Sequence, residues 1–296
     1  MYHPKISAKT PETLIRHEID KKGFISFARF MNLALYSETG GYYTQRSNKG
    51  LFSDFLTSPS THPALAALLA IQFEHIWQIM DKPTPFYIVE IGAGPNILGN
   101  DILRYSSYLS PELSDALTYL SLDRASYKSN PLDMPKDKQQ RILTNSIPLK
   151  PFKGIILSNE LLDSFPFHRV CIEKGILKEI YVTLQNGKFS EYRGNPEVPQ
   201  LEEYVAKLTN KLEEGQEAEI CLAIDPWIQS ITEVLNNGII LTIDYGGLDK
   251  EIYSANHKLG NLQCYFRHTE SKSPYENIGK QDITTHVDFT ALMRLG

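Results

Sequence analysis

The chain has 296 residues, 42% hydrophobic and 22% charged, with a formal net charge of -5; that is enough for one large or two small domains and gives no general pull toward phosphate backbones or anionic lipid. No apolar run approaches the roughly 20 residues of a membrane-spanning helix and the N-terminus lacks a signal-peptide core, so neither a nucleic-acid nor a membrane partner is expected. Cys171, Cys221 and Cys264 are scattered without CxxC spacing, which sets aside a disulfide framework and a zinc cage and points to a reducing cytoplasm.

From Pro11 to Tyr36, apolar residues such as Leu14, Ile15, Ile19, Phe27, Phe30, Met31 and Leu35 recur at helical spacings on either side of Gly23, which predicts two helices. A Gly-rich turn (TGGYY) and a polar stretch through Pro59 follow. Within it, Thr57 and Ser58 precede the next helix, where Ser58 either caps it or helps close a ligand pocket. HPALAALLAIQFEHIWQIM, apolar at nearly every turn, predicts a buried helix. The runs FYIVEIG, LTYLSLD, RILT, GIILSN and GIILTIDYG then alternate with helix-like segments and read as strands of a parallel sheet covered on both faces. The expected fold is therefore a doubly wound α/β sheet. Between the fourth and fifth strands, from about Phe167 to Ile224, near-alternating apolar residues and the pair Asn186-Gly187 predict an antiparallel insertion.

Gly92, Ala93 and Gly94 fall where the first of these strands meets its helix, so a ligand can lie against backbone amides at a helix N-terminus. A simple strand-to-helix turn would use the same residues. Asp123 ends the second strand, beside the first, where a carboxylate can accept both hydroxyls of a ribose. Glu90, inside the first strand, is costly to bury unless it has partners. An acid just ahead of the glycines disfavours a pyrophosphate and favours a sulfonium with an α-amino group. The electrostatics thus select S-adenosylmethionine over a dinucleotide.

Six segments in order, ISFARFMNLALYSETGGYY, SDFLTSP, VEIGAG with NDIL, SNELLDSFP, IDYG, and GNLQCYFRH with QDITTHVDFTAL, resemble the MidA family of S-adenosylmethionine-dependent methyltransferases. That family includes a mitochondrial complex I assembly factor that methylates an arginine. The resemblance implies a class I methyltransferase (Rossmann-like) sheet with N-terminal helices and an antiparallel insertion. It also implies an arginine-bearing protein substrate, possibly a respiratory complex subunit. The expected organisation is an N-terminal helical segment and cofactor lid over residues 1–80 and a methyltransferase domain over 81–296, with the C-terminal part of the family fold absent. The chain departs from its relatives in Asn96, where a third glycine is usual, in Ser53 for Gly, and in Asp123 for Glu.

SNELLDSFP carries the expected chemistry: Asn159, Glu160 and Asp163 follow the fourth strand, and Glu160 and Asp163 share a face if the segment is helical. Two carboxylates can orient a guanidinium by bidentate pairing, while an Asx-type turn before Pro166 accounts equally for Asp163. Asn145, after the third strand, can meet an adenine amine or be an ordinary loop residue. Asp244, Tyr245 and Gly246 end the fifth strand close to the expected acceptor side, where they equally make an ordinary strand-terminating turn. His268, His286 and Asp288 look metal-like, but in-line methyl transfer needs no metal and none is expected. A cofactor-binding assembly factor with little turnover, motivated by Asn96 and the short C-terminus, and a nucleotide-linked oxidoreductase, opposed by Glu90, are the alternatives.

Overall fold

The computed structural model describes residues 10–44, 62–124, 138–267, 269–271 and 273–295; Ser53, Thr57, Ser58 and His268 lie outside them. Helix α1 (Pro11–Lys22) is capped by Thr10, whose hydroxyl accepts the Thr13 N–H at 3.2 Å, and stops at Gly23. The interruption there proves to be a strand, β1 (Phe24–Ser26), too short to show a period of two in sequence. Ser26 then caps α2 (Phe27–Tyr36) by accepting the Arg29 N–H at 3.1 Å.

Next come α3 (Ala64–Ile79), β2 (Phe86–Ile91), α4 (Ile97–Leu109), α5 (Pro111–Ala116), β3 (Leu117–Asp123), β4 (Gln139–Leu143) and β5 (Phe152–Asn159). The next stretch holds β6 (His168–Glu173), β7 (Ile176–Gln185), β8 (Lys188–Gly194), α6 (Pro199–Ala206), β9 (Glu217–Ile220), α7 (Ile224–Thr232) and β10 (Leu235–Ile243). The C-terminal segment adds β11 (Gly246–Gly247), α8 (Asp249–Ile252), β12 (Gln263–Phe266), β13 (Thr269–Ser271), β14 (Asp282–Thr284), β15 (Val287–Asp288) and α9 (Phe289–Leu295). Two compact units emerge: Met1–Gln45 with Leu162–Pro226 and Tyr245–Gly296, and Arg46–Leu161 with Trp227–Asp244.

The second unit is the parallel α/β sheet, ordered β10-β5-β2-β3-β4 with every pairing parallel. The strand order reverses between β2 and β5, the place where open α/β sheets bind ligands at their carboxyl ends. Because side chains alternate faces, Phe86, Ile88 and Glu90 share one side with Leu117, Tyr119 and Ser121 and with Ile155 and Leu157, as the register requires. Their apolar members bury against Phe73 and Trp77 of α3 and Leu98, Ile102 and Leu103 of α4. Each such side chain contributes roughly 1.5–3 kcal/mol. The row turns polar only toward the carboxyl end.

The first unit holds the antiparallel sheet β1-β7-β6-β9, with β8 on β7. Asn186 and Gly187 both take positive φ, 52° and 73°, as a tight hairpin between β7 and β8 demands. Two of its buried charged groups are paired. His168 Nδ1 lies 2.7 Å from Glu179 Oε1, and Tyr181 donates to Glu179 Oε2 at 2.7 Å. Arg169 pairs with Glu217 at 2.7 Å and also with Glu191.

Candidate active site

Gly92 and Gly94 lie in the turn between β2 and α4, both left-handed with φ of 76° and 53°. The turn hangs from the neighbouring strand: Gly92 N–H donates to Leu122 O at 2.9 Å and Ala93 N–H at 3.5 Å. At Gly92 an added Cβ would stand 2.8 Å from Leu161 Cδ1, so the protein itself occupies that space. At Gly94 it would meet no described atom within 4 Å. The open ground beside the loop is therefore at Gly94. Asp123, ending β3, accepts the Gly94 N–H on Oδ2 at 2.8 Å, and Arg141 of β4 donates from Nη2 to Gly94 O at 2.5 Å.

Asn96 caps α4 in the left-handed conformation, φ 66°, with its own N–H on Ala93 O at 2.8 Å. That geometry explains why a glycine is usual here and why asparagine, which tolerates it, can substitute. Its side-chain oxygen accepts from Ser121 Oγ at 2.8 Å and its nitrogen donates to Asn100 at 3.3 Å. The departure is accommodated in full.

Glu90 is 4% exposed, and Tyr119 donates to its Oε2 at 2.8 Å. Burial, with a smaller push from Asp123, raises its carboxyl to about 7, against the lowering by the Tyr119 bond and Arg141. Among the described residues Glu90 forms no ion pair. A buried acid without an ion pair is favoured in its charged form only where a cation comes near it.

Across the strand-order reversal, Asn159 closes β5 and Glu160 follows with φ 49°, unusual for a residue with a side chain. The Glu160 N–H donates to Ile243 O at 2.9 Å, and the Leu161 N–H to Asp244 Oδ2 at 3.0 Å. Burial and then the Asp244 charge push the Glu160 carboxyl up, partly offset by a hydrogen bond with Asn159. Asp163 belongs to a separate 3-10 turn, Leu162–Ser164, where its carbonyl takes the Thr285 N–H at 3.0 Å. Glu160 and Asp163 thus do not share one helical face, because the left-handed residue ends β5 before the turn begins. The companion acid beside Glu160 is Asp244. Asn145 is exposed at a bend beyond β4, whose register sets it next to the end of β3.

Sequence reasoning passed over Tyr119 and Arg141. Both carried a signal, since Tyr119 sits on the same alternating face as Asp123 and Arg141 is a charge inside a strand. Of the metal-like residues, Asp288 accepts from Tyr204 Oη at 2.7 Å and from the Ala291 N–H at 3.1 Å, and burial lowers His286. Among the described residues no three His, Cys, Asp or Glu side chains gather as metal ligands, and no helix is long and apolar enough to cross a membrane.

Residues 68–296 match a family model described as "Putative S-adenosyl-L-methionine-dependent methyltransferase". The human protein arginine methyltransferase NDUFAF7, mitochondrial, is 25% identical over 97% of this chain and 70% of its own length. Its Drosophila melanogaster homologue is 25% identical over 93% and 67%. A COG1565 superfamily member from Burkholderia thailandensis, crystallised with S-adenosyl-homocysteine, superposes with a TM-score of 0.82 at 26% identity, covering 100% of this chain and 79% of that one. The parallel sheet is thus a class I, Rossmann-like methyltransferase sheet. The cytoplasmic placement expected from the cysteines is corrected: the curated relatives are mitochondrial by name. Free thiols, which Cys171, Cys221 and Cys264 are, do not separate one reducing compartment from another.

Proposed function

This chain belongs to the S-adenosyl-L-methionine-dependent methyltransferase family, and from that premise we propose that it transfers the methyl group to an arginine of a protein partner. The observation that carries the cofactor half is the left-handed Gly94, whose N–H is held by Asp123 and beside which an added Cβ would meet no described atom within 4 Å. Gly92, Ala93 and Gly94 supply the backbone against which the cofactor lies, Glu90 faces its cationic end, and Asp123 receives its ribose. Asn145 lines the adenine side. Thr57 and Ser58 lie outside the described residues and remain candidates from sequence alone, as a helix cap or a closure of the cofactor pocket. When bound, S-adenosylmethionine supplies an electrophilic methyl on a sulfonium.

The acceptor side falls at the carboxyl end of β5. Asn159 holds Glu160, and Glu160 orients a guanidinium nitrogen toward the methyl; positioning of this kind is the main lever for an in-line displacement. Asp163 orients the chain that carries them. The arginine assignment also rests on the named activity of the relatives. One motive for the reading of an assembly factor with little turnover weakens, since Asn96 fits the left-handed cap.

Incubation of the purified chain with S-adenosylmethionine and cell proteins, followed by mass spectrometry, tests this reading. Methylated arginine on one protein is expected. Methyl groups found only on other residue types, or none despite measured cofactor binding, would remove the arginine assignment.

A further inference from the structure

We propose that Arg141 is a positioning residue for the methyl donor: with Asp123 it clamps Gly94 from both sides and so holds the turn against which the cofactor lies. The inference rests on the cofactor placement above and deepens it. Asp123 Oδ2 accepts the Gly94 N–H at 2.8 Å, and Arg141 Nη2 donates to the Gly94 carbonyl at 2.5 Å. The two peptide groups that flank one Cα are thus gripped by charged side chains from β3 and β4. In the same turn the N–H groups of Gly92, Ala93 and Asn96 all go to backbone carbonyls.

The need for a clamp follows from the residues on either side of that carbonyl. Gly94, at φ 53°, has no side chain to restrict it, and an added Cβ would meet no described atom within 4 Å, so packing does not hold it. Residue 95 is proline, so the Gly94–Pro95 peptide has no N–H and its carbonyl is the only polar handle. Arg141 takes that handle. The register sets it there: Glu90 lies opposite Ser121 and Ser121 opposite Arg141, one row across β2, β3 and β4 on a single face of the sheet. A guanidinium in that row stays charged at any working pH. It lowers the Glu90 carboxyl two strands away, against burial, which is the largest influence, and the Asp123 charge; the Tyr119 hydroxyl of β3 also lowers it. One side chain therefore supplies both the grip on the turn and a charge that helps Glu90 ionise toward a cationic ligand.

The test uses the full chain, S-adenosylhomocysteine and two variants on the edge strand β4: Arg141→Met, which removes donor and charge, and Arg141→Lys, which keeps both. Calorimetry should show S-adenosylhomocysteine bound about tenfold more weakly by Arg141→Met, the ratio one charge-assisted hydrogen bond is worth when it selects the binding-competent turn. In the ligand-free variant the Gly94 amide should exchange with solvent faster than in the wild type, and the Glu90 carboxyl, followed by carbon NMR, should titrate at higher pH. Arg141→Lys should recover most of the affinity and return Glu90 toward its wild-type titration, which a brace acting only on stability would not do. Should Arg141→Met not fold, Arg141→Gln, neutral and polar, is read in the same way. Wild-type binding matched by the neutral variant, unchanged Gly94 exchange, a Glu90 titration that does not move, or Arg141→Lys binding as weakly as Arg141→Met overturns the role of Arg141 alone. A wild type that does not bind S-adenosylhomocysteine removes the cofactor placement and the clamp together. The expected loss in Arg141→Met, with methyl groups found only on residues other than arginine, upholds the clamp and removes the acceptor assignment.

Discussion

Glu90 in the parallel sheet and Glu179 in the antiparallel sheet are both strand acids, 4% and 1% exposed. Each accepts a tyrosine hydroxyl, from Tyr119 at 2.8 Å and Tyr181 at 2.7 Å. Glu179 has a second partner in His168, whose Nδ1 is 2.7 Å away, whereas Glu90 forms no ion pair among the described residues. Burial cost is met inside the protein at Glu179 and not at Glu90. Where a buried acid lacks an ion pair among the described residues, as Glu90 and Glu219 do, burial raises its carboxyl, and a cationic ligand would favour the charged form.

The sharpest way to break this comparison is to damage a satisfied network. Arg169→Met leaves Glu217, 12% exposed, with Arg193 alone at 3.1 Å and takes the cation from Glu191, and should cost about 3 kcal/mol in urea unfolding, the low end for a broken buried pair. A cost near zero would mean that the pairing in the antiparallel sheet is not what holds its acids.

The next effect is the pH dependence of Glu90. Its carboxyl stands at about 7 in the folded chain against the ordinary value of 4.5, so folding favours its protonated form. Its contribution is fully present below about 4.5 and is lost as pH rises through about 7, up to about 3 kcal/mol in all. Cofactor affinity should run the other way, strengthening through the same window as the carboxylate ionises toward the cationic ligand. Glu90→Gln should flatten both curves, read by thermal melts and calorimetry; a cofactor affinity that stays level with pH in the wild type would detach Glu90 from the ligand.

Gly94→Ala separates space from strain. The left-handed backbone costs about 1–2 kcal/mol of stability with any side chain, yet no described atom opposes the new methyl. Affinity for S-adenosylhomocysteine should fall by about tenfold or more, beyond what the small loss of stability explains. Retained affinity would move the cofactor away from this turn. The smallest effect is expected of Asn96→Gly, which keeps the left-handed cap and forfeits the Ser121 bond for about 1 kcal/mol, leaving cofactor affinity unchanged.

The parallel strands were legible because each is a short apolar run between helices, and the Asn186-Gly187 hairpin because its turn residues have a conformational reason. Gly92, Gly94 and Asp123 were legible as a loop and its neighbouring strand end. What stayed hidden depends on register. Tyr119 reaches Glu90 only because β3 lies beside β2 with Ile88 opposite Tyr119, and Asp244 meets Glu160 only because β10 lies beside β5. Spacing along the chain put Asp163 closer to Glu160, and the left-handed Glu160 backbone, which no composition signals, undid that pairing. The strand β1 was hidden by its length of three residues.

Leu161 fills the ground a side chain at Gly92 would need. Bulk at either position must therefore be traded against bulk at the other: an alanine at 92 calls for something slimmer than leucine at 161. The two stretches of chain, 69 residues apart by number, are coupled in size, and a double substitution should recover the clash that alanine at 92 creates while leaving the cost of its left-handed backbone.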